Sequence, residues 1–462
     1  MKYISTRGQV APTGFIDAVL MGLADDGGLL VPQSVPKVTA DTLQAWRKLS
    51  YADLALEVFS LYAGGEIPRE ELKKLVDDSY GTFRHEEVTP VRKLNDNLYV
   101  LELFHGPTFA FKDVALQFLG NLYSYISRRT KSIIHILGAT SGDTGASAIE
   151  GVRGKEGIRI CILHPHNKVS KVQELQMTTV DDANVLNLAV EGTFDDCQRI
   201  IKDLFADVGF KRKYHLRAIN SINIARLLAQ TVYYFYAYFR LEEQGVKGNV
   251  SFSVPTGNFG DIFAGYLAKR MGLPIHRLLL ATNENNILER FVNEGVYQPG
   301  EFRGTYSPSM DIQVASNFER YLYYLYGEDA AAVASLMAGF KAEGRIEIPA
   351  EKRKQVQADF AAYGVRNEEC LDTIGGYHGR YGYLLDPHTA CGVAAVDKLA
   401  EQGEVAVALS TAHPAKFDEA IRLRGIPQTF PPQIQALFDK PQFRTVVGGT
   451  NVEIQARLEK FF

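Results

Sequence analysis

The order of apolar and polar positions divides the chain into two kinds of pattern. Over roughly the first 90 residues, short apolar runs are broken by turn signals such as Asp26-Gly27-Gly28 and followed by helical patterns, among them DTLQAWRKL with Asp41 as its expected cap. From Leu98 onward, short β-rich runs alternate with amphipathic stretches, the signature of a mostly parallel sheet covered by helices. SIIHIL (132–137) leads through small residues into the helical ASAIEGV. IRICILHP (158–165) and NVLNLAV (184–190) come next, with a helix expected after Thr193. A second series runs from NVSFSVP (249–255) through TGNFGD into IFAGYLAKRMG, and ends with EVAVALS (404–410) before TAHP. The expected organisation is an N-terminal domain over residues 1–90, a small α/β domain over 91–240 and a larger α/β domain over 241–462.

Composition narrows the function classes. The chain has 462 residues, 46% hydrophobic and 23% charged, with a formal net charge of −4. That balance offers no basic footprint for a phosphate backbone, so no nucleic-acid partner is expected. The longest aromatic-rich apolar run, TVYYFYAYF from Thr231 to Phe239, is too short to span a bilayer and reads as a buried helix. The opening MKYISTRGQV lacks the apolar stretch of a secretory signal, so a cytoplasmic protein without a membrane anchor is expected. Cys161, Cys197, Cys370 and Cys391 form no CxxC pair and are expected to be reduced and buried. His164-Pro165-His166 stands without further ligands at metal spacing, so no metal is expected. No obligate protein partner is evident.

Three polar loops sit where strands end and helices begin, the place where unpaired N–H groups and a partial positive charge receive anions. They are Gly138-Ala139-Thr140-Ser141-Gly142-Asp143-Thr144-Gly145, Thr256-Gly257-Asn258-Phe259-Gly260-Asp261, and Ser410-Thr411-Ala412-His413-Pro414. Neither glycine-bearing loop is a GxGxxG dinucleotide fingerprint or a GxxxxGK[ST] triphosphate loop. Lys112 opens a helical pattern in which Phe111, Ala115, Phe118, Leu122 and Ile126 share one face. A helix start and apolar neighbours both disfavour an ammonium, leaving free amine for Schiff-base chemistry with an aldehyde. The competing reading of Lys112 is a snorkelling side chain.

HGPTFAFKD, ATSGDTGAS, PTGNFGD and LSTAHPAKF, in this order, resemble the threonine synthase family, as do the opening MKYISTRG and ADDGGLLVP. The resemblance covers nearly the whole chain and favours the longer class of bacteria and fungi. It implies a pyridoxal-phosphate enzyme of the tryptophan-synthase-like fold (fold type II), with two open α/β domains plus an N-terminal domain. It also implies that Lys112 carries pyridoxal 5'-phosphate and that Gly257, Asn258, Phe259, Gly260 and Asp261 hold its phosphate. Thr411 would face the pyridine nitrogen, with Ser410 and His413 as neighbours. Ser141, Gly142, Thr144 and Gly145 would receive the substrate carboxylate. Asp143 stands in that loop too, but an ionised carboxylate cannot donate a hydrogen bond, which leaves its role open.

The reaction so implied converts O-phospho-L-homoserine and water to L-threonine and phosphate, with Lys112 moving the Cα proton. His105, Lys112 and His413 all remain open as the base for the Cβ proton. Arg320, Lys168 and Lys171 are the expected sources of extra positive charge for the substrate phosphate. Closure of the small domain over the substrate is also expected. A serine or threonine dehydratase on the same fold and a catalytically silent phospho-metabolite-binding relative are the alternatives.

Overall fold

The computed structural model describes residues 1–462 and contains two parallel-dominated sheets. The larger has six strands in the order Phe360–Gly364, Ile275–Thr282, Val250–Pro255, Val405–Ser410, Leu98–Glu102 and Val91–Lys93. Only its last pair is antiparallel. The smaller has five parallel strands in the order Thr445–Val447, Val185–Val190, Ile158–Pro165, Ile134–Ala139 and Leu216–Ala218. Helices cover the sheets. Val250–Pro255, Val405–Ser410 and Leu98–Glu102 are therefore buried along their whole lengths; VAVALS and LYVLE are near-continuous apolar runs, whereas VSFSVP alternates with serines that are buried all the same.

Three strands depart from the linear organisation expected from the sequence, Val91–Lys93 among them, since it pairs with Leu98–Glu102 at the edge of the larger sheet. Leu98–Glu102, within the stretch 91–240, pairs with Val405–Ser410 of the larger sheet, and Thr445–Val447, within 241–462, pairs with Val185–Val190 of the smaller. Neither pairing is encoded by local pattern, because each joins segments distant in sequence. A smaller correction concerns DTLQAWRKL. The helix is Ala40–Trp46, and its cap is Thr39, which accepts from the Thr42 N–H; Asp41 lies in the first turn.

TVYYFYAYF lies inside the helix Ile224–Glu243, every residue of it buried except Tyr238, which is half-buried. No helix is long and apolar enough to cross a membrane. Arg320, expected near the substrate phosphate, is turned into the core and fully buried. Its guanidinium donates to Leu30 O (2.9 Å), Ile222 O (2.6 Å) and Asn317 Oδ1 (2.5 Å), tying the N-terminal strand to two loops of the main body. With those donors engaged it serves the architecture rather than a ligand. Lys168 and Lys171 lie on the surface, the latter 3.7 Å from Glu174.

Helix Lys112–Thr130 crosses helix Asp143–Val152 at a point where both backbones must touch. A Cβ at Gly120 would lie 2.0 Å from Gly151 O, and one at Gly151 would lie 2.5 Å from Leu116 O. This contact fixes the helix that begins at Lys112 against the helix that begins at Asp143. Gly120→Ala is expected to destabilise the protein by about 1–3 kcal/mol through overpacking; denaturant unfolding with an unchanged midpoint would contradict the contact.

Candidate functional site

The segment before Lys112 is bound edge to edge to the loop after Val405–Ser410. The Phe111 N–H donates to Thr411 O (2.8 Å), the His413 N–H donates to Phe109 O (3.0 Å), and Ala110 and Ala412 form an antiparallel bridge. Asp113, buried one residue after Lys112, accepts from the Thr108 N–H, the Thr108 hydroxyl and the Ser147 hydroxyl, each at 2.7 Å. Burial still pushes its carboxyl upward despite these donors. Both ends of the segment are therefore pinned, and the Lys112 backbone has little freedom.

Lys112 is partly buried, its Nζ 4.4 Å from the centroid of the Phe111 ring. Desolvation lowers its pKa to about 8. Asp143 and Asp261 pull it upward, while Arg226 and Lys416 push it down, so two acids and two cations surround it. An ordinary lysine at neutral pH is almost wholly charged; this one holds an appreciable neutral fraction that grows as pH rises through 8.

The TGNFGD loop joins Val250–Pro255 to helix Gly260–Met271, whose N-terminus has no side-chain cap. Asn317 holds the loop from behind: its backbone N–H and its Nδ2 both donate to Asn258 O, each at 3.0 Å. Phe259 takes φ of +62°, a conformation costing about 1–3 kcal/mol for a bulky residue. Its ring is wedged among Phe318, Tyr321 and Phe360, at 5.5, 5.9 and 5.7 Å, and that packing offsets the strain. A Cβ at Gly257 would meet Ser309 O at 2.7 Å, so only glycine lets the loop run this close to the 307–311 segment. The Asp261 carboxylate is taken up by two tyrosines, accepting from Tyr233 (2.5 Å) and Tyr234 (2.9 Å). Burial raises its pKa to about 6, against the pull of the two tyrosines and Lys112. What Asp261 offers an anion is its backbone N–H in the uncapped first turn.

The SGDTG loop corrects part of the sequence reading. Gly142 N–H and Gly145 N–H both donate to Thr140 Oγ1, at 3.0 and 2.9 Å, so neither is free for a ligand. Gly145 is also a packing residue, since a Cβ there would lie 2.4 Å from Thr140 Cγ2 and 2.8 Å from Met177 Sδ. The donors without a protein partner are the hydroxyls of exposed Ser141 and half-buried Thr144, at the start of an uncapped helix. Asp143 is buried and accepts from Lys416 Nζ (2.7 Å) and Gln173 Nε2 (2.8 Å). Burial would raise its pKa, but Lys416 and then Lys112 overcome that and hold it well below the usual carboxylate range.

Thr411 is buried beside Ser410, and Ser410 Oγ lies 3.1 Å from Thr389 Oγ1. Burial pushes His413 down to about 4, so its ring is neutral; Nδ1 accepts from the Ala415 N–H (3.1 Å). His105 gives Nε2 to Glu102 (2.7 Å), a carboxylate that also accepts from the Tyr383 hydroxyl (2.9 Å).

Two charged residues at this site escaped the sequence reading. Arg226 is 3% exposed, lies near enough to Lys112 to push its pKa down, and has Nε and Nη1 without partners. Its signal was a fourth strand-loop-helix unit, Leu216–Ala218 then Asn220-Ser221-Ile222-Asn223 then Ile224–Glu243, with one arginine in an otherwise apolar first turn. Lys416 is 1% exposed, and its signal was the lysine that ends LSTAHPAK.

Comparison with known proteins shows the family. The family model described as threonine synthase N terminus matches residues 2–80, pyridoxal-phosphate dependent enzyme matches 82–342, and threonine synthase, C-terminal matches 389–457. The chain is 45% identical to the threonine synthase of Schizosaccharomyces pombe, with 98% of this chain and 96% of that protein covered. It is 46% identical to that of Pseudomonas aeruginosa, with 99% and 97% covered. The crystal structure of a pyridoxal-phosphate-bound threonine synthase from Brucella melitensis superposes with a TM-score of 0.96 at 45% identity, covering 100% of this chain and 99% of that one. The yeast threonine synthase structure gives 0.95 at 41% identity, with 100% and 98% covered.

Thr140 is the local keystone of the SGDTG loop. Thr140→Val removes the acceptor of two buried N–H groups while keeping shape, and is expected to cost about 1–3 kcal/mol per orphaned group. Thr140→Ser should recover most of that loss in denaturant unfolding; equal stability of Val and Ser variants would remove Thr140 from this role.

Proposed function

The chain belongs to the threonine synthase family, pyridoxal-phosphate enzymes of the tryptophan-synthase-like fold, and from that premise we propose which residues carry its reaction. The chemistry is the conversion of O-phospho-L-homoserine and water to L-threonine and inorganic phosphate. When bound, pyridoxal phosphate supplies the electron sink that makes the protons on Cα and Cβ removable. The residues present fit that group. An uncapped helix start with a glycine-only approach suits its phosphate, a depressed lysine suits its carbonyl, and a buried threonine suits its ring nitrogen.

Lys112 is the lysine that binds the cofactor, and the single observation behind this is its place at the head of a helix whose preceding segment is bonded edge to edge to residues 411–413. Once the substrate amine takes its place, the freed amine is neutral often enough to accept the Cα proton and to return it. The backbone N–H groups of Gly257 to Asp261 hold the cofactor phosphate, and the Thr411 hydroxyl faces the ring nitrogen without adding charge. Ser141 and Thr144 receive the substrate carboxylate. Gly142 and Gly145 shape that loop, their own N–H groups being held by Thr140. Asp143 stays ionised and balances the cations.

Arg226 takes the substrate phosphate. The reading is supported by a buried guanidinium whose Nε and Nη1 have no protein acceptor, on a helix whose next residue, Leu227, would lie 3.6 Å from a Cβ at Gly260. It replaces the earlier assignment to Arg320. The cytoplasmic setting is supported by four buried cysteines that are all unpaired.

Purified protein should show a visible cofactor band that changes on addition of O-phospho-L-homoserine, with phosphate released. Lys112→Ala should lose that band; its persistence would dismiss Lys112. Arg226→Met should keep the band while KM rises by about 100-fold, the scale of a lost charge-assisted contact. Loss of cofactor affinity instead, with KM unaltered, would assign Arg226 to the cofactor's phosphate.

A further inference from the structure

A lysine almost absent from solvent needs a reason to be there, because desolvating an ammonium without partners costs several kcal/mol. Lys416, in the short turn Pro414–Lys416 after the larger sheet's strand Val405–Ser410, is 1% exposed. Its Nζ reaches Asp143 Oδ1 at 2.7 Å, at the head of the first helix after the smaller sheet's strand Ile134–Ala139. It also donates to Thr108 O at 2.7 Å, in the loop that leads to Lys112. One ammonium thus joins the two sheets and the lysine-bearing segment at the floor of the site.

We propose that Lys416 is a positioning residue for the reaction: it fixes the Asp143 carboxylate and the 108–112 segment together, and it sets the charge that Lys112 experiences. The inference rests on Lys112 being the cofactor lysine. The charged groups facing Lys112 are Asp143 and Asp261 on one side of the balance, Arg226 and Lys416 on the other. Those facing Asp143 are Lys416 and Lys112, with the Gln173 amide as a neutral donor. Asp113, held by Thr108 and Ser147, is the other acid within reach of Lys416. Removing Lys416 takes one cation from a balanced set of four and leaves two acids opposed by one. Both the lost repulsion and the exposed Asp143 charge then hold a proton more tightly on Lys112.

The test reads the lysine itself, in cofactor-free protein. Trace acetylation with acetic anhydride at graded pH, with Lys112 quantified by mass spectrometry, should give a midpoint near 8 in the parent chain. Lys416→Met should raise it by about one unit or more, the size of a lost neighbouring charge, and Asp143→Asn should lower it. The double variant should fall back close to the parent, and Lys416→Arg should leave the midpoint where it was. In holoenzyme, the acid limb of the kcat–pH profile should move up with Lys416→Met while cofactor content stays the same.

A midpoint unmoved or lowered in Lys416→Met overturns the proposal. Should that variant fail to fold by circular dichroism, adding Lys416→Met to Asp143→Asn removes both partners and must still raise the midpoint relative to Asp143→Asn alone. A visible band surviving in Lys112→Ala would instead defeat the assignment of the cofactor lysine, while leaving the Lys416 effect on the Lys112 amine measurable.

Discussion

Desolvation of Lys112 is the constraint around which the rest of the site is arranged. Burying an amine at a helix start lowers its pKa only if the amine cannot swing back to water, and here the segment from Thr108 to Asp113 is pinned at both ends. Asp113 collects three donors at its head, and the 109–111 backbone is bonded to residues 411–413. Burial alone would carry the amine too far from charge to bind or move protons usefully, so acids must stand nearby. Asp143 and Asp261 supply them, and each is in turn restrained: Asp143 by Lys416 and Gln173, Asp261 by Tyr233 and Tyr234. The charges form a closed set because Asp143, Asp261, Arg226 and Lys416 are buried and each must be compensated by its neighbours.

That closed set explains why so much of the fold converges on one place. Helix Lys112–Thr130 touches helix Asp143–Val152 backbone to backbone through Gly120 and Gly151, so the spacing between Lys112 and the SGDTG loop is set by main chain rather than by adjustable side chains. Two bulky residues, Phe109 and Phe259, sit at φ values of +61° and +62° on either side of the site. Each strained residue is over-determined by its neighbours: Phe109 by the edge pairing with His413 and by the Arg84 guanidinium 3.5 Å above its ring, Phe259 by three aromatic rings.

What the sequence made legible were the features whose meaning is local. Lys112 within apolar neighbours, a glycine-bearing turn before a helix, and short β-rich runs alternating with helical stretches all follow from the residues beside them. The wrong or missing readings concern residues whose role depends on distant partners. Arg320 looked like a free cation because nothing in its own segment reveals that Leu30 and Ile222 lie against it. Arg226 and Lys416 drew no reading at all, because the groups each one faces, Lys112 for both and Asp143 for Lys416, lie far away in sequence. Gly142 and Gly145 were read as donors because the claim of Thr140 on both N–H groups appears only when the turn closes. The placement of Leu98–Glu102 in the larger sheet and Thr445–Val447 in the smaller was illegible for the same reason. Long-range pairing has no signature within a window.

The crossing of the C-terminal chain has a mechanical consequence. After Val405–Ser410 the backbone leaves the larger sheet, places Lys416 against Asp143, and ends by adding Thr445–Val447 to the edge of the smaller sheet. Helix Lys171–Thr178 receives this strap at several points: Arg444 meets Glu174, the Phe443 N–H donates to Thr178 O, and the Thr178 hydroxyl donates to Gln442. The same helix supplies Gln173 to Asp143 and Gln176 to Thr108. The smaller sheet is therefore tethered to the larger one at the Asp143 end of the SGDTG loop, by charges that surround Lys112. Its outer end carries exposed Ser141, which no protein hydrogen bond holds in place. The loop is thus held at one end, where Asp143 is bound by Lys416 and Gln173, and open at the other, where the Ser141 hydroxyl has no protein partner.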